Sequence, residues 1–189
     1  MGAEALSRAV VSQYVLGRGL VRIEAAEGLD PPHYDAVIEA ENRLMGLGIV
    51  EESATHITIR CSVDPNDFDL PTLLGRLSRT EATIRSNAVG ALQSGDTDAA
   101  RRAADRSLQL EKLFSLFLRL VFTTYRNPRL NRAVGVGTGF PLIGYRSAAQ
   151  DGSLMAGIAA DIATTAAARV TDPPDPAVAA PAEAGPPPP

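Results

Sequence analysis

The chain has 189 residues, 45% of them hydrophobic, enough for one domain with a small second lobe. Its formal net charge of −4 and pI near 5.2 argue against non-specific binding to nucleic acid or to an anionic membrane, both of which need a basic face. Cys61 is the only cysteine, which rules out an internal disulfide and fits a cytoplasmic home.

In chain order, residues 7–16 read as a short helix interrupted by Gly17 and Gly19. The N-terminal run lacks a basic segment, an unbroken apolar stretch and a cleavage site, so no leader is expected. LVRIEA, residues 20–25, is a strand candidate. Asp30 as N-cap with Pro31 at the first helical position starts a helix. That helix keeps a 3.6-residue period through Tyr34, Val37, Ile38, Leu44 and Met45, and Gly46 and Gly48 end it. A short strand over residues 49–52 and a second over HITIRC (56–61) follow, with a turn at SAT. In the second strand Ile57, Ile59 and Cys61 share one face, and His56, Thr58 and Arg60 the other. The first 65 residues therefore read as a βαββ lobe, a small sheet with one helix against it.

After VDPNDFDLP only helix signals remain. Leu70, Leu73, Leu74, Leu77, Ile84, Ala88 and Leu92 form one apolar stripe. In SGD, Gly95 suits a helix end and Asp96 the next N-cap. A second helix spans residues 97–125, with Leu110, Phe114, Phe117 and Val121 on one face, and ends at Asn127-Pro128. Residues 131–140, containing GVGTGF, read as a flexible loop, and a third helix covers residues 142–169. Three long helices, the first two tightly joined, give an antiparallel bundle over residues 66–170. The fold class is thus α+β, mostly α. Residues 171–189 are rich in proline and alanine and too poor in large apolar groups to build a core, so they are expected to form a disordered tail. The apolar stretch near residues 153–170 is mostly alanine and holds Asp161, too weak for a membrane span.

Chemistry is sparse. His33 and His56 have no Cys or His at ligand spacing, which disfavours zinc, and both are read as solvated surface residues. A Ser-His-Asp triad stays open, because its members need not be near in sequence, but no GxSxG elbow is present. GVGTGF follows a helix rather than a strand and lacks GK[ST], unlike a phosphate loop. Arg76, Arg79, Arg85, Arg101 and Arg102 are interspersed with Glu81, Asp96, Asp98 and Asp105, a mixed solvated face. No catalytic residue, cofactor site or metal ligand is assigned, and no enzyme activity is expected.

Taken together, several runs resemble one family, the PhoU phosphate-uptake regulators of archaeal type. RLMGLGIVEESATHITIRC is similar to the family's "RLxGLEIVEE" followed by a strand and an "LLDP" turn. The run from LLGRLSRTEATIRSNAVG through SGD to AADRS is similar to its first bundle helix, "GD" turn and second helix. LEKLFSLFLRL resembles "VDRLYFLVVRQL", and GYRSAAQDGSLMAGIAADIA resembles "YRxxAKxLERIADHAxxIA". The likeness covers about residues 14–168.

It implies a three-helix bundle of the PhoU kind and a regulatory role in phosphate uptake or the phosphate-starvation response. The implied partners are a phosphate ABC transporter subunit or a PhoU-like paralogue, with a homodimer supplying a second repeat. An alternative is a degenerate dimerisation partner that modulates a full-length paralogue. No AbrB-like DNA-binding segment precedes Tyr14, so direct nucleic-acid binding is not expected, nor is membrane insertion. The family's paired carboxylates for iron or zinc align with Ser107 and Glu111 and with Ser153 and Gly157. Three of these four positions are not acidic, and Asp105 and Asp161 lie on other faces. The resemblance therefore implies no tight metal cluster here.

Overall fold

The computed structural model describes residues 1–137 and 141–171, with side chains only to Ala168. The expected Pro-rich tail and residues 138–140 of the GVGTGF loop lie outside the described residues.

The amino-terminal lobe opens with a helix, α1 (Ala3–Val15), longer than the reading over 7–16. Leu6, Val10 and Tyr14 recur every four residues and are all buried, a stripe that gives α1 a core face. It packs beside α2 (Pro31–Arg43). The lobe is therefore αβαββ, with two helices rather than one. The strands β1 (Leu20–Glu24), β2 (Leu47–Glu52) and β3 (His56–Cys61) form an antiparallel sheet in the order β1-β3-β2. Ile57 and Ile59 of the central strand join Leu6, Val10, Tyr14, Val37, Ala40 and Leu44 in one apolar cluster. Asp30 stands at the start of α2 as expected, yet its side chain makes no capping bond.

The bundle consists of α3 (Leu70–Ser94), α4 (Thr97–Arg126) and α5 (Pro141–Thr171). All three pack on one another. Gly95 ends α3 in the left-handed region at φ 67°, and Asp96 caps α4 by accepting from the Ala99 N–H at 2.9 Å, so the SGD reading holds. Leu70, Leu73, Leu77, Ile84 and Ala88 are buried as the stripe requires, but Leu92 is largely exposed. On α4, Leu110, Phe117 and Val121 are buried while Phe114 is half-buried. Leu113, Leu116 and Leu120 complete the core face.

Glu81 interrupts the α3 stripe. It is buried, and Arg85 one turn later reaches it at 3.1 Å from the surface. The pair keeps a carboxylate inside by drawing in a cation with an open path to water.

The expectation of a flexible loop over 131–140 does not hold for its first half. Val134 and Val136 are buried in the bundle core, and the Val134 carbonyl accepts from the Leu70 N–H at 2.9 Å. This turn thereby satisfies a donor at the start of α3. Gly135 has φ +75°, and a Cβ there would collide with the Asp69 carboxylate and meet Pro71 at 3.3 Å. Asp69 is itself the N-cap of α3, accepting from Thr72 N–H at 2.8 Å. Gly135→Ala combines left-handed strain with a disturbed cap and is expected to cost about 2 kcal/mol, read as a lower urea midpoint with an unchanged m-value.

Candidate functional site

The helix α5 is built inside out. Beyond its first turn, where Leu142 is buried in the core, its core-facing residues are small: Ala149, Ala156, Ala159, Ala160 and Ala163 are buried. Small side chains let a helix sit close to its neighbours, and alanine costs no side-chain entropy in a helix. The bulky aliphatics point outward instead, with Leu154, Ile158 and Ile162 at 60%, 53% and 45% exposure and Met155 beside them. Residues four apart share a helix face, so Leu154, Ile158 and Ile162 form a continuous strip. Leu92 of α3, 61% exposed, flanks it across a shallow groove of 330 Å³ lined by Ile158, Asp161, Ile162 and Thr165. Bulk on the outside and alanine on the inside is the reverse of a helix whose only task is to fill its own bundle.

A second concavity of 510 Å³ lies between the lobe and the bundle, where Asn42 and Arg43 of α2 meet Leu108, Glu111 and Lys112 of α4. Arg43 is within 3.3 Å of both Glu39 and Glu111, so its charge is already matched. Above it Arg119, 6% exposed, donates to the carbonyls of Tyr14 at 2.7 Å and Arg18 at 3.0 Å. Its guanidinium lies 5.0 Å from the centre of the Tyr14 ring. Arg126 donates to the Leu16 carbonyl at 2.6 Å. Two arginines of α4 thus hold the carbonyl end of α1, where the helix dipole favours cations. Burial pushes the Tyr14 phenol well above its ordinary value, and its hydroxyl donates to the Met45 carbonyl at 2.9 Å. This junction fixes the lobe; it offers no reacting group.

His56 is a correction to the surface reading. Its side chain is only 17% exposed, with Nε2 3.2 Å from Glu51 Oε1 and Nδ1 2.6 Å from Ser53 Oγ. The residue types and distances are those of a Ser-His-acid set, but the surroundings are a hairpin turn. Ser53 Oγ accepts backbone N–H groups from Thr55 and His56 at 3.3 and 3.1 Å, which ties up the lone pairs a nucleophile would use. The Nε2 contact is close without hydrogen-bond alignment. Spacing of three residues across a tight turn is the signal from which this cluster could have been found. His33, half-buried, has its Nε2 2.8 Å from the Met1 carbonyl.

Three carboxyls are held below the usual range. Glu51 is lowered by its His56 contact and then by Thr58, Asp69 by the Thr72 hydroxyl and N–H, and Asp96 chiefly by the Ala99 N–H. The unfolded chain protonates these groups at a higher pH than the folded one. Their stabilisation is full above the ordinary carboxylate range and is lost as pH falls through the depressed folded values. The urea midpoint is therefore expected to be flat from pH 7 to 5 and to fall toward pH 3. Asp96→Asn, which keeps a capping oxygen without a titrating proton, is expected to reduce that fall.

The remaining sequence candidates do not converge. Ser107 is buried on the bundle side of α4, while Glu111 turns to Arg43 of the lobe. They share one helix, yet one residue looks inward and the other outward. Ser153 and Gly157 are half-buried on α5, and Asp105 and Asp161 are exposed. Among the described residues no group of three or more His, Cys, Asp or Glu lies close enough to hold a metal ion. Arg76, Arg79 and Arg101 are exposed, Arg85 pairs with Glu81 and Arg102 with Asp96, a mixed face. Among the described residues no helix is long and apolar enough to cross a membrane. Compared with protein-family models, curated proteins and solved structures, the chain matches none.

Proposed function

We propose that this protein is a non-catalytic regulator that works in the cytoplasm by binding other proteins through the outer face of α5. The observation that carries this reading is the outward placement of Leu154, Met155, Ile158 and Ile162 over an alanine-packed inner face. An exposed aliphatic strip costs solubility unless a partner covers it.

The process proposed for it is control of phosphate uptake or of the phosphate-starvation response. Support for that comes from the ordered series of segments resembling PhoU proteins between residues 14 and 168. The partner is then a phosphate ABC transporter subunit or a PhoU-like paralogue. Ser107, Ser153 and Gly157 stand where those relatives place carboxylates, which favours a second form of the proposal, a modulator that pairs with a full-length paralogue. Neither form calls for a cofactor or a resident metal. Stoichiometric iron or zinc in the purified protein would contradict that part.

The test is affinity capture of the intact chain from phosphate-replete and phosphate-starved cells. Transporter subunits or a PhoU-like protein are expected in the eluate, and less of either with Ile158→Glu. Recovery of neither class under both conditions overturns the phosphate reading.

A further inference from the structure

We infer that the carboxyl end of α4, with the turn after it and the end of α1 beside it, is a docking face for a short acidic segment of a partner protein. It is independent of the α5 strip. The 30 residues of α4 span about 45 Å, which sets this face and the groove at Leu92 at opposite ends of the bundle.

Charge is unevenly spread along the chain. No aspartate or glutamate occurs between Glu111 and Asp151, while that stretch carries Lys112, Arg119, Arg126, Arg129, Arg132 and Arg146. The fold gathers part of this excess in one place. Arg126 donates to the Leu16 carbonyl at 2.6 Å, and Gly17 lies so close to Thr123 that a Cβ there would collide with its hydroxyl. The end of α1 thereby brings Leu16 and Arg18 to the end of α4. Arg129 and Arg132 follow in the next turn, which opens with a 3-10 helix, Pro128–Leu130, and their spacing of three sets them on one side of it. Arg18, Arg126, Arg129 and Arg132 are exposed, and among the described residues none of the four pairs with a carboxylate. Asp69, against Gly135 of the same turn, is engaged as the N-cap of α3. Tyr125 and Leu16, 69% and 41% exposed, add apolar surface to the arginines.

Composition and range identify the occupant. Arginine and tyrosine are enriched where proteins bind proteins, and a guanidinium matches a carboxylate with two parallel hydrogen bonds. The exposed Leu16 has nothing to offer a phosphate backbone, but it can cover an apolar side chain of a peptide. Range decides against the larger polyanions. Exposed charges act over about 8 Å at physiological salt, so a short peptide meets only the local excess of arginine. A nucleic acid or an anionic membrane extends across the molecule and meets its net charge of −4 as well.

The test is fluorescence anisotropy of the intact protein with a labelled peptide of about twelve residues, half of them glutamate around one phenylalanine. A Kd on the order of 100 μM or tighter is expected, weakening as salt rises. The doubly substituted Arg129→Glu, Arg132→Glu protein is expected to lose at least tenfold in affinity, with the far-UV spectrum and unfolding midpoint of the parent, because neither side chain holds the fold. Arg101→Glu with Arg106→Glu, an equal change of charge at two exposed arginines nearer the start of α4, is expected to bind within about twofold of the parent, since charges beyond a Debye length are screened. Tyr125→Ala is expected to weaken the peptide with phenylalanine more than one with alanine in its place. Absence of binding, equal losses in the two charge-reversed proteins, or tighter binding of single-stranded RNA or phosphatidylserine vesicles than of the peptide overturns the inference. Ile158→Glu is expected to bind the peptide like the parent, so failure at this face and failure of the α5 reading are separate results.

Discussion

Phe117→Ala is expected to destabilise the protein by about 3–5 kcal/mol. The ring is fully buried at the centre of α4, within the core that all three bundle helices share. Truncation removes the transfer free energy of the ring and leaves a void that the neighbours fill only in part. Leu113, Leu116, Leu120 and Val121 are themselves buried around the same helix, so few side chains are free to swing into the gap. For a chain of this size the melting temperature is expected to fall by roughly 10 °C or more. Phe117→Leu, which leaves a smaller void, is expected to recover at least half of the loss. A melting temperature within 2 °C of the parent, on a scale where each ~1 kcal/mol moves it by ~2–4 °C, would show that this core is not packed as described.

The second large effect is expected at Arg119, and it differs in kind. Arg119→Ala leaves the bundle core intact and strips two carbonyls of α1 and the following turn of a charged donor. It also removes a cation from the negative end of a helix dipole and from the face of the Tyr14 ring. Each lost charged hydrogen bond is worth ~1.5–3 kcal/mol. The Tyr14 carbonyl keeps the Gly17 N–H at 2.9 Å, so the sum is expected to settle at about 2–4 kcal/mol. The readout that separates this variant from Phe117→Ala is hydrogen exchange. Amides of α1 and β1 are expected to lose protection first, with those of α3 and α5 little changed. Uniform loss over lobe and bundle would mean that Arg119 does not act as the tie between them. Arg119→Lys retains the charge but loses the guanidinium that lies over the Tyr14 ring, and is expected to fall between parent and alanine.

Helices and strands were legible because their signals are local. The SGD turn needs only Gly95 and Asp96, and β3 declares itself by alternation from His56 to Cys61. The α1 stripe was also written locally, in Leu6, Val10 and Tyr14, but a four-residue recurrence of mixed size is easily read as a shorter helix. What the sequence hid depends on distance along the chain. Nothing near Arg119 says that its partners are the carbonyls of Tyr14 and Arg18. Gly135 in a glycine-rich run suggests freedom, whereas the fold uses it because Asp69 leaves no room for a Cβ. Leu92 belongs to the α3 period and still faces out, since helix periodicity tells which residues share a side and not which side is covered. The same limit hid the inversion of α5, where alanine rather than isoleucine faces the core.

The order β1-β3-β2 also has a meaning in time. Chains are made from the amino terminus, and the strand at the middle of this sheet is the last of the three to be made. Until Cys61 has left the ribosome, β1 and β2 are two edges with nothing between them, and no native pairing is available to either. The clasp on α1 comes later still, because the Arg119 side chain that grips Tyr14 lies 105 residues further along. The amino-terminal lobe is thus born open at both its sheet and its tie to the bundle, and that tie closes only after the second bundle helix has been synthesised.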